Sequence, residues 1–430
     1  MFPRVQCCWI ATNVIRRHSR SMVHAELMEP TMEVSAILPS NQLNIHFQPI
    51  VSLKQTSVVG LEALARPALM GVGQKFAKAR KAGKLLELDR RCRIRAMEAY
   101  RDLNLPRSLR PFLFLNFETS LIDEGVEGSG ALLEATEATG LEPSDIVIEL
   151  NETKVQDTMT LKRFVERHRE LGFLIAIDDL GSGHSNLPRI AELRPHIIKL
   201  DRSLIAGVDR DFCKQEMMKS LILLGKTIGT LVLAEGVETQ AELDTCAALG
   251  AEFFQGYHFA RPKPAANLHL AALHPVLMEA ARRQRVKAVA AIRARQMEGL
   301  DLINLARAGC EGLRHIAAQM FDGALANWVG TNTMIEAAYV LDGDGLQISN
   351  THLGQGLPPS RNRLFTPATR GTDHANKEYF FSLIDTGLHE HITDTYISLA
   401  TGQRCRTVAT RLEHASGASF VLCIDQRLKP

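Results

Sequence analysis

The chain has 430 residues, of which 45% are hydrophobic and 23% charged, with a formal net charge of +2. That length leaves room for a full barrel of roughly 250 residues and a second domain. The small charge excludes a global field for holding a nucleic-acid polymer or an anionic membrane, and no apolar stretch approaches the roughly 20 residues that span a bilayer.

The first 25 residues carry Arg4, Arg16, Arg17 and Arg20 with no acid before Glu26, around the short apolar run Cys7 to Ile10. The run is short for a signal peptide and no clean small-residue cleavage site follows it. Residues 1–40 therefore read as a disordered leader, or as sequence ahead of a start at Met22 or Met28. Eight scattered cysteines, Cys7, Cys8, Cys92, Cys213, Cys246, Cys310, Cys405 and Cys423, show neither zinc-like nor disulfide-framework spacing. They are expected to be reduced, non-catalytic thiols of a cytoplasmic protein.

From Leu43 to Pro264 apolar runs alternate with helix-like segments, and each run ends in a polar residue. In chain order the runs are Val58 to Glu62, Phe112 to Asn116, Ile146 to Glu149, Leu174 to Asp178 and Asp179, His196 to Lys199, Leu231 to Glu235 and Glu252 to Gln255. Helical spacing marks Lys84 to Tyr100, Gly130 to Gly140 and Phe212 to Gly229, with Gly140 and Gly229 in stop positions. Polar residues at every strand end predict an α/β fold, a (β/α)8 TIM-like barrel over residues 41–270 with its chemistry on the C-terminal face. A doubly wound sheet would concentrate its site at one switch point. A buried strand that ends in a carboxylate is costly unless a cation waits there, so the repeated acids point to one metal-loaded site.

Pro262 and Pro264 break the pattern. Residues 271–328, rich in Ala, Arg, Leu and Met, are expected to form a helical linker, broken at Gly299 or at Gly309 to Gly312. Its cluster Arg282, Arg283, Arg285 and Lys287 reads as a solvated helix face of a helix that connects and dimerises. Beyond it the period falls to two in Ile335 to Asp342, Thr395 to Ala400, Thr407 to Leu412 and Ser419 to Asp425. Turns are expected at Asp342 to Gly345, Thr401-Gly402 and Ser416-Gly417. Residues 329–430 are thus an α+β domain with an antiparallel sheet.

Gln48-Pro-Ile, Glu62-Ala-Leu64 with Arg66, Asp178 to Ser185, Lys199-Leu-Asp201, Ala234 to Thr239 and Gln255-Gly-Tyr257 together resemble an EAL domain. That family hydrolyses the bacterial second messenger cyclic di-GMP to linear pGpG. The resemblance covers about half of the chain. It implies that Glu62, Asn116, Glu149 and Asp178 hold one metal and that Asp178, Asp179 and Glu235 hold a second. It gives Lys199 a contact with the attacking water and Gln255 a hold on the metal-bound water and phosphate. Arg66 would lie near the substrate phosphate, and Glu152 would anchor the Asp178-Asp179 loop. The catalytic set it implies is Glu62, Glu152, Lys199 and Glu235, and the substrate-binding set is Gln48, Arg66, Asp201 and Gln255; Glu238 also matches a family position.

Five carboxylates in one barrel mouth, Glu62, Glu149, Asp178, Asp179 and Glu235, cannot all stay ionised at close range without counter-ions. Two divalent cations and Lys199 would balance them, and oxygen donors without Cys or His favour Mg²⁺ or Mn²⁺. Departures from the usual family pattern are Leu180 for Phe, His184 for Tyr, Asn151 for Thr and Ala65-Arg66-Pro67 for Leu-Arg-Trp. They bear on rate and regulation rather than on the ligand set. His184 reads as a loop-packing substitution, His46 as barrel packing, and Gly181-Ser-Gly183 as a flexible turn.

Asp342 to Asn350, Glu378 to Phe381, Tyr396 to Leu399 and Phe420 to Asp425 resemble, more loosely, a PAS-like or Cache-like sensor. Tyr379, Phe380, Tyr396 and Arg406 would line a pocket for an unknown small-molecule or protein ligand, or else these aromatics form the core of a dimerisation domain. The expectation is a cytoplasmic, homodimeric cyclic di-GMP phosphodiesterase dependent on two Mg²⁺ or Mn²⁺ ions; the alternative is a cyclic di-GMP receptor with little turnover. There is no Gly-Gly-Asp-Glu-Phe-like run, so synthesis of cyclic di-GMP is not expected.

Overall fold

Only four residues separate the first two strands, β1 (Leu43–Ser52) and β2 (Ser57–Pro67). A link that short cannot cross over a sheet, so the two pair as a hairpin. The remaining strands are β3 (Phe112–Phe117), β4 (Ile146–Leu150), β5 (Leu174–Leu180), β6 (Ile197–Leu200), β7 (Leu231–Ala234), β8 (Phe253–Phe254) and the short β9 (Lys263–Pro264). Strands β2 to β8 are hydrogen-bonded neighbours in sequence order, and β1, paired with both β8 and β2, closes the sheet into a barrel. The β2–β3, β3–β4, β4–β5 and β7–β8 pairs are parallel, whereas β1 runs antiparallel to β8. The expected (β/α)8 barrel is therefore present with its first strand reversed, a direct result of the hairpin.

This computed structural model describes residues 43–67, 71–123, 130–151, 157–181, 187–356 and 363–428. Two compact units result: one runs up to Ile50 and includes Val58–Lys199 and Ala260–Leu270, and the other takes Val51–Ser57, Leu200–Phe259 and the chain from Ala271 onward. In the first, every residue of β4 is buried, as befits a parallel strand covered on both faces. Helices Leu85–Arg101 and Thr158–Glu170 cover its core with Leu88, Met97, Leu161 and Phe164, packed around Phe47, Leu61 and Phe173. Each such side chain contributes about 1.5–3 kcal/mol by leaving water.

In the second unit a single helix, His274–Leu313, runs for 40 residues. Of the two expected breaks, the one at Gly299 does not occur, and at Gly309 to Gly312 the helix continues through the glycines and stops just beyond them. At Gly299 the surrounding Ala, Arg, Met, Glu and Leu residues are strong helix formers and outweigh a glycine cost of about 1 kcal/mol. Gly309 is a packing residue: a Cβ there would lie 2.5 Å from the Trp328 ring and 2.8 Å from Leu422. The helix ends at Leu313, one residue past Gly312. A second helix, Phe321–Thr331, follows.

The C-terminal sheet comprises β10 (Ile335–Leu341), β11 (His352–Leu353), β12 (Glu390–Ile392), β13 (Tyr396–Ile397), β14 (Arg404–Glu413) and β15 (Ser419–Arg427). Its order is β11-β10-β15-β14-β12, with β13 also on β14, and all pairs are antiparallel. Period-two alternation splits the side chains between two cores. Val340, Val408, Leu422 and Ile424 face Leu302, Ala306, Phe321 and Leu325, whereas Tyr339, Ala409, Val421 and Cys423 pack with Tyr379, Phe380 and Leu383 of the helix Glu378–Ile384. Among the described residues no helix is long and apolar enough to cross a membrane.

Candidate active site

Register fixes which strand ends meet. Asn116 on β3 lies directly opposite Glu149 on β4, and Glu62 on β2 pairs with Phe114, two residues short of Asn116. Glu149 in turn faces Ala176, which places Asp178 two residues further along β5. Asn116 Nδ2 donates to Glu62 Oε1 at 3.2 Å. Lys199, one residue from the end of β6, is 1% exposed and lies between two carboxylates, its Nζ 2.5 Å from Glu149 Oε1 and 3.1 Å from Asp178 Oδ1. Such a burial is tolerable because the charge is paired twice.

Asp179 departs from regular strand geometry, with a φ of 60°. A residue other than glycine held there costs roughly 1–2 kcal/mol, least for Asp or Asn, whose side chains bond locally. Its carboxylate accepts from Asn151 Nδ2 at 2.7 Å, and its own N–H donates to Asp178 Oδ1 at 2.9 Å. The backbone thus turns at the Asp178-Asp179 pair, where Leu180 is fully buried.

The other candidates sit as follows. Glu235 immediately follows β7, its N–H donating to Leu200 O at 3.0 Å; Gln255 immediately follows β8, its N–H donating to Ala234 O at 2.9 Å. Gly256 allows this turn, because a Cβ there would meet Val237 O at 2.0 Å. Gln48 donates to Ala260 O at 3.1 Å. Asp201 caps the helix Arg202–Ile205 through Ser203 N at 2.9 Å, and Glu238 pairs with Arg202. Arg66 is exposed, donating to Ala65 O at 3.3 Å. Glu152 and His184 lie outside the described residues.

A cavity of about 370 Å³ opens beside Glu62, Arg66 and Asn116. On its wall is a buried ion pair that strand-end reasoning passes over, Asp89 with Arg93, one turn apart on the helix Leu85–Arg101. Asp89 also accepts from Glu118 N at 3.3 Å, and Arg93 lies 4.3 Å over the Phe117 ring, so the pair pins the segment just after Asn116. Burial holds the Asp89 carboxyl above its usual range despite Arg93. The legible signal was an acid and a base four apart on the apolar face of an amphipathic helix.

Among the described residues no three of the carboxylates converge into a closed cation cage; Lys199 draws Glu149 and Asp178 to itself. The donor set nonetheless fits a hard divalent cation. Glu62, Asn116, Glu149, Asp178 and Asp179 offer only oxygen or amide donors at neighbouring strand ends, with no thiolate or imidazole among them.

The family model for the EAL domain matches residues 33–262. The chain is 29% identical over 257 residues to the bifunctional diguanylate cyclase/cyclic di-GMP phosphodiesterase MucR of Pseudomonas aeruginosa, covering 56% of this chain and 36% of that protein. It is 32% identical over 251 residues to the cyclic di-GMP phosphodiesterase NbdA of the same organism, covering 55% and 31%. The chain thus matches about a third of the length of these curated relatives. Among solved structures, the Bacillus subtilis YkuI protein with an EAL domain, in complex with c-di-GMP and calcium, is similar with a TM-score of 0.73. The match covers 91% of this chain and 98% of that one at 22% identity, a likeness of fold.

Proposed function

This chain belongs to the EAL domain family, and from that premise we propose that it hydrolyses cyclic di-GMP to linear pGpG. The observation that carries the reading is the doubly paired, buried Lys199 between Glu149 and Asp178: a charged cluster at the barrel mouth that strand packing alone does not require. Glu62, Asn116, Glu149 and Asp178 would hold one Mg²⁺ or Mn²⁺ ion, and Asp178, Asp179 and Glu235 a second. When bound, such a pair supplies Lewis acidity for an in-line displacement at phosphorus.

The chain's own residues then do the positioning. Lys199 orients the attacking water and neutralises charge developing on the phosphoryl oxygens. Arg66 holds a substrate phosphate, Gln255 supports the water and phosphate, and Gln48 and Asp201 shape the substrate pocket. Glu152 would anchor the Asp178-Asp179 turn, which Asn151 braces. In domain terms, residues 41–270 form the phosphodiesterase, 271–328 the linker and 329–430 a sensory or dimerising domain, in a homodimer acting in the cytoplasm.

The test is turnover of cyclic di-GMP by the full chain with Mg²⁺ or Mn²⁺, following pGpG, with Glu62→Ala as control. Metal-dependent product that disappears in the variant is the expected result. Binding of cyclic di-GMP without product would make the protein a receptor instead.

A further inference from the structure

The second unit holds a cleft of about 870 Å³ on the face of the C-terminal sheet that carries Tyr339. Of the four residues expected to line a pocket, Tyr379 and Tyr396 do so. Phe380 packs into the core beside Leu383, and Arg406 donates to Gln426 Oε1 at 2.6 Å. Alternation explains the second case: Arg406 and Gln426 are register partners on one face, while the adjacent pair Thr407 and Asp425 points to the other.

Asp425 is the unexpected member. It is 4% exposed and lines the cleft, accepting from Thr407 Oγ1 at 2.7 Å, and that hydroxyl is in turn 2.5 Å from the Tyr396 hydroxyl. Among the described residues no cationic side chain pairs with it; its charged neighbour is the acid Glu336. An asparagine would satisfy the same hydroxyls without the cost of burying a carboxylate, so packing alone does not account for an acid here.

A second observation lies on the same wall. His374 is 6% exposed, and its Nδ1 is 2.6 Å from the Tyr379 hydroxyl, while its Nε2 has no partner among the described residues. Burial keeps this imidazole neutral at physiological pH, its pKa drawn down to about 4. The neutral ring has two tautomers; in the one that donates Nδ1–H to the Tyr379 hydroxyl, Nε2 is left as an acceptor, and this is the one that a donor in the cleft would select. The ring lies tilted by 34° against Tyr339, with the centroids 5.2 Å apart.

Among the described residues that line the cleft, Asp373, Glu378, Asp394 and Asp425 are acidic and Lys377 is the one cation. A buried carboxylate, three tyrosine rings and an imidazole acceptor are complementary to an ammonium group on an organic skeleton. We propose that this cleft binds a small organic cation, an ammonium compound that pairs with Asp425, donates to His374 and packs against Tyr339, Tyr379 and Tyr396. An anionic ligand would have to sit among four carboxylates.

The experiment is calorimetric titration of the full chain with putrescine, agmatine and choline, each cationic. Uncharged 1,4-butanediol and dianionic succinate serve as four-carbon counterparts of putrescine. At least one amine is expected to bind with a Kd below about 1 mM, some 4 kcal/mol of binding, and the diol and the diacid not at all. Asp425→Asn should weaken that amine by at least about tenfold, the scale of losing a charge-assisted hydrogen bond. Lys377 is exposed at the rim, so Lys377→Met tests the charge logic without touching the core; it should tighten amine binding by about two- to threefold through loss of a like charge. Three results overturn the proposal: no binding by any amine at about 10 mM, a range weaker than specific recognition; equal binding of diol or succinate; or unchanged amine affinity in a folded Asp425→Asn protein.

Discussion

Replacing Lys199 by methionine keeps its length and removes its charge. With Nζ 2.5 Å from Glu149 and 3.1 Å from Asp178, the two attractions are about 7 and about 5 kcal/mol at an effective dielectric constant of about 20. Desolvation of all three groups offsets most of that. What remains on deleting one partner of a buried pair is typically a loss of about 3–5 kcal/mol, because the orphaned carboxylates stay buried. The metal-free Lys199→Met protein should therefore be destabilised by that amount. Glu149→Gln should cost less, since Lys199 keeps Asp178, and the double variant should cost clearly less than the sum of the singles, by about 1–3 kcal/mol of coupling. The assay is amide exchange at Val147 to Leu150, on the buried strand that carries Glu149, which reports the opening of that strand itself. Excess Mg²⁺ should return protection to Lys199→Met by supplying the missing charge. A loss below about 1 kcal/mol, or additive singles, would refute the view that Lys199 is the internal counter-ion of the mouth.

The left-handed turn at Asp179 predicts that Asp179→Gly changes stability by less than about 1 kcal/mol while Asp179→Ala costs about 1–2 kcal/mol, with both inactive; equal stability of the two in thermal unfolding would dismiss the strain. Gly309→Ala should destabilise by about 1–3 kcal/mol through overpacking against Trp328, whereas Gly299→Ala, whose Cβ would have none of the described residues within 4 Å, should stabilise by about 0.5–1 kcal/mol; denaturant midpoints of the two variants must move in opposite directions. Burial lifts the Asp425 carboxyl from 3.8 to about 7, so the folded state retains a proton that the unfolded chain releases. Stability from this group is therefore lost as pH rises from about 3.8 to about 7 and is level above that, at about 1.4 kcal/mol per pH unit. Asp425→Asn should match the wild type near the acid end of that window and exceed it above pH about 7; parallel melting-temperature profiles would contradict the assignment.

The barrel was legible because parallel strands buried on both faces leave only their last residues free to be polar. Asn116, Glu149, Asp178, Lys199 and Glu235 carry that signature at or near their strand ends, whereas Glu62 lies mid-way along β2, which runs on to Pro67. The reversal of β1 was not drawn from the pattern, since period and composition are the same in either direction; only the four-residue link distinguishes them. Gly309 was misread as a stop because its reason is tertiary: Trp328, some twenty residues on, takes the place of a side chain. Strands β11 and β12 are two and three residues long, too short for any periodicity, and of the run Thr395 to Ala400 only Tyr396–Ile397 pairs as β13. His374 and Asp425 lie 51 positions apart and share no spacing rule; what brings them to one cleft is the sheet. Asp425 nevertheless left a trace, an acid in an otherwise apolar strand.

The 40-residue helix has a mechanical consequence. Near its start Arg283 and Lys287 clasp Gln240 and Asp244 of the helix Gln240–Leu249, at 2.6 and 2.5 Å. Towards its end Leu302, Ala306 and Leu313 are sunk in the core of the C-terminal sheet. Between these anchorages residues 288–298 are all exposed. Each residue added there would turn one anchorage relative to the other by about 100° and lengthen the rod by about 1.5 Å. The two ends are thus geared together like the ends of a drive shaft, and a twist imposed at one has no slack in which to disappear.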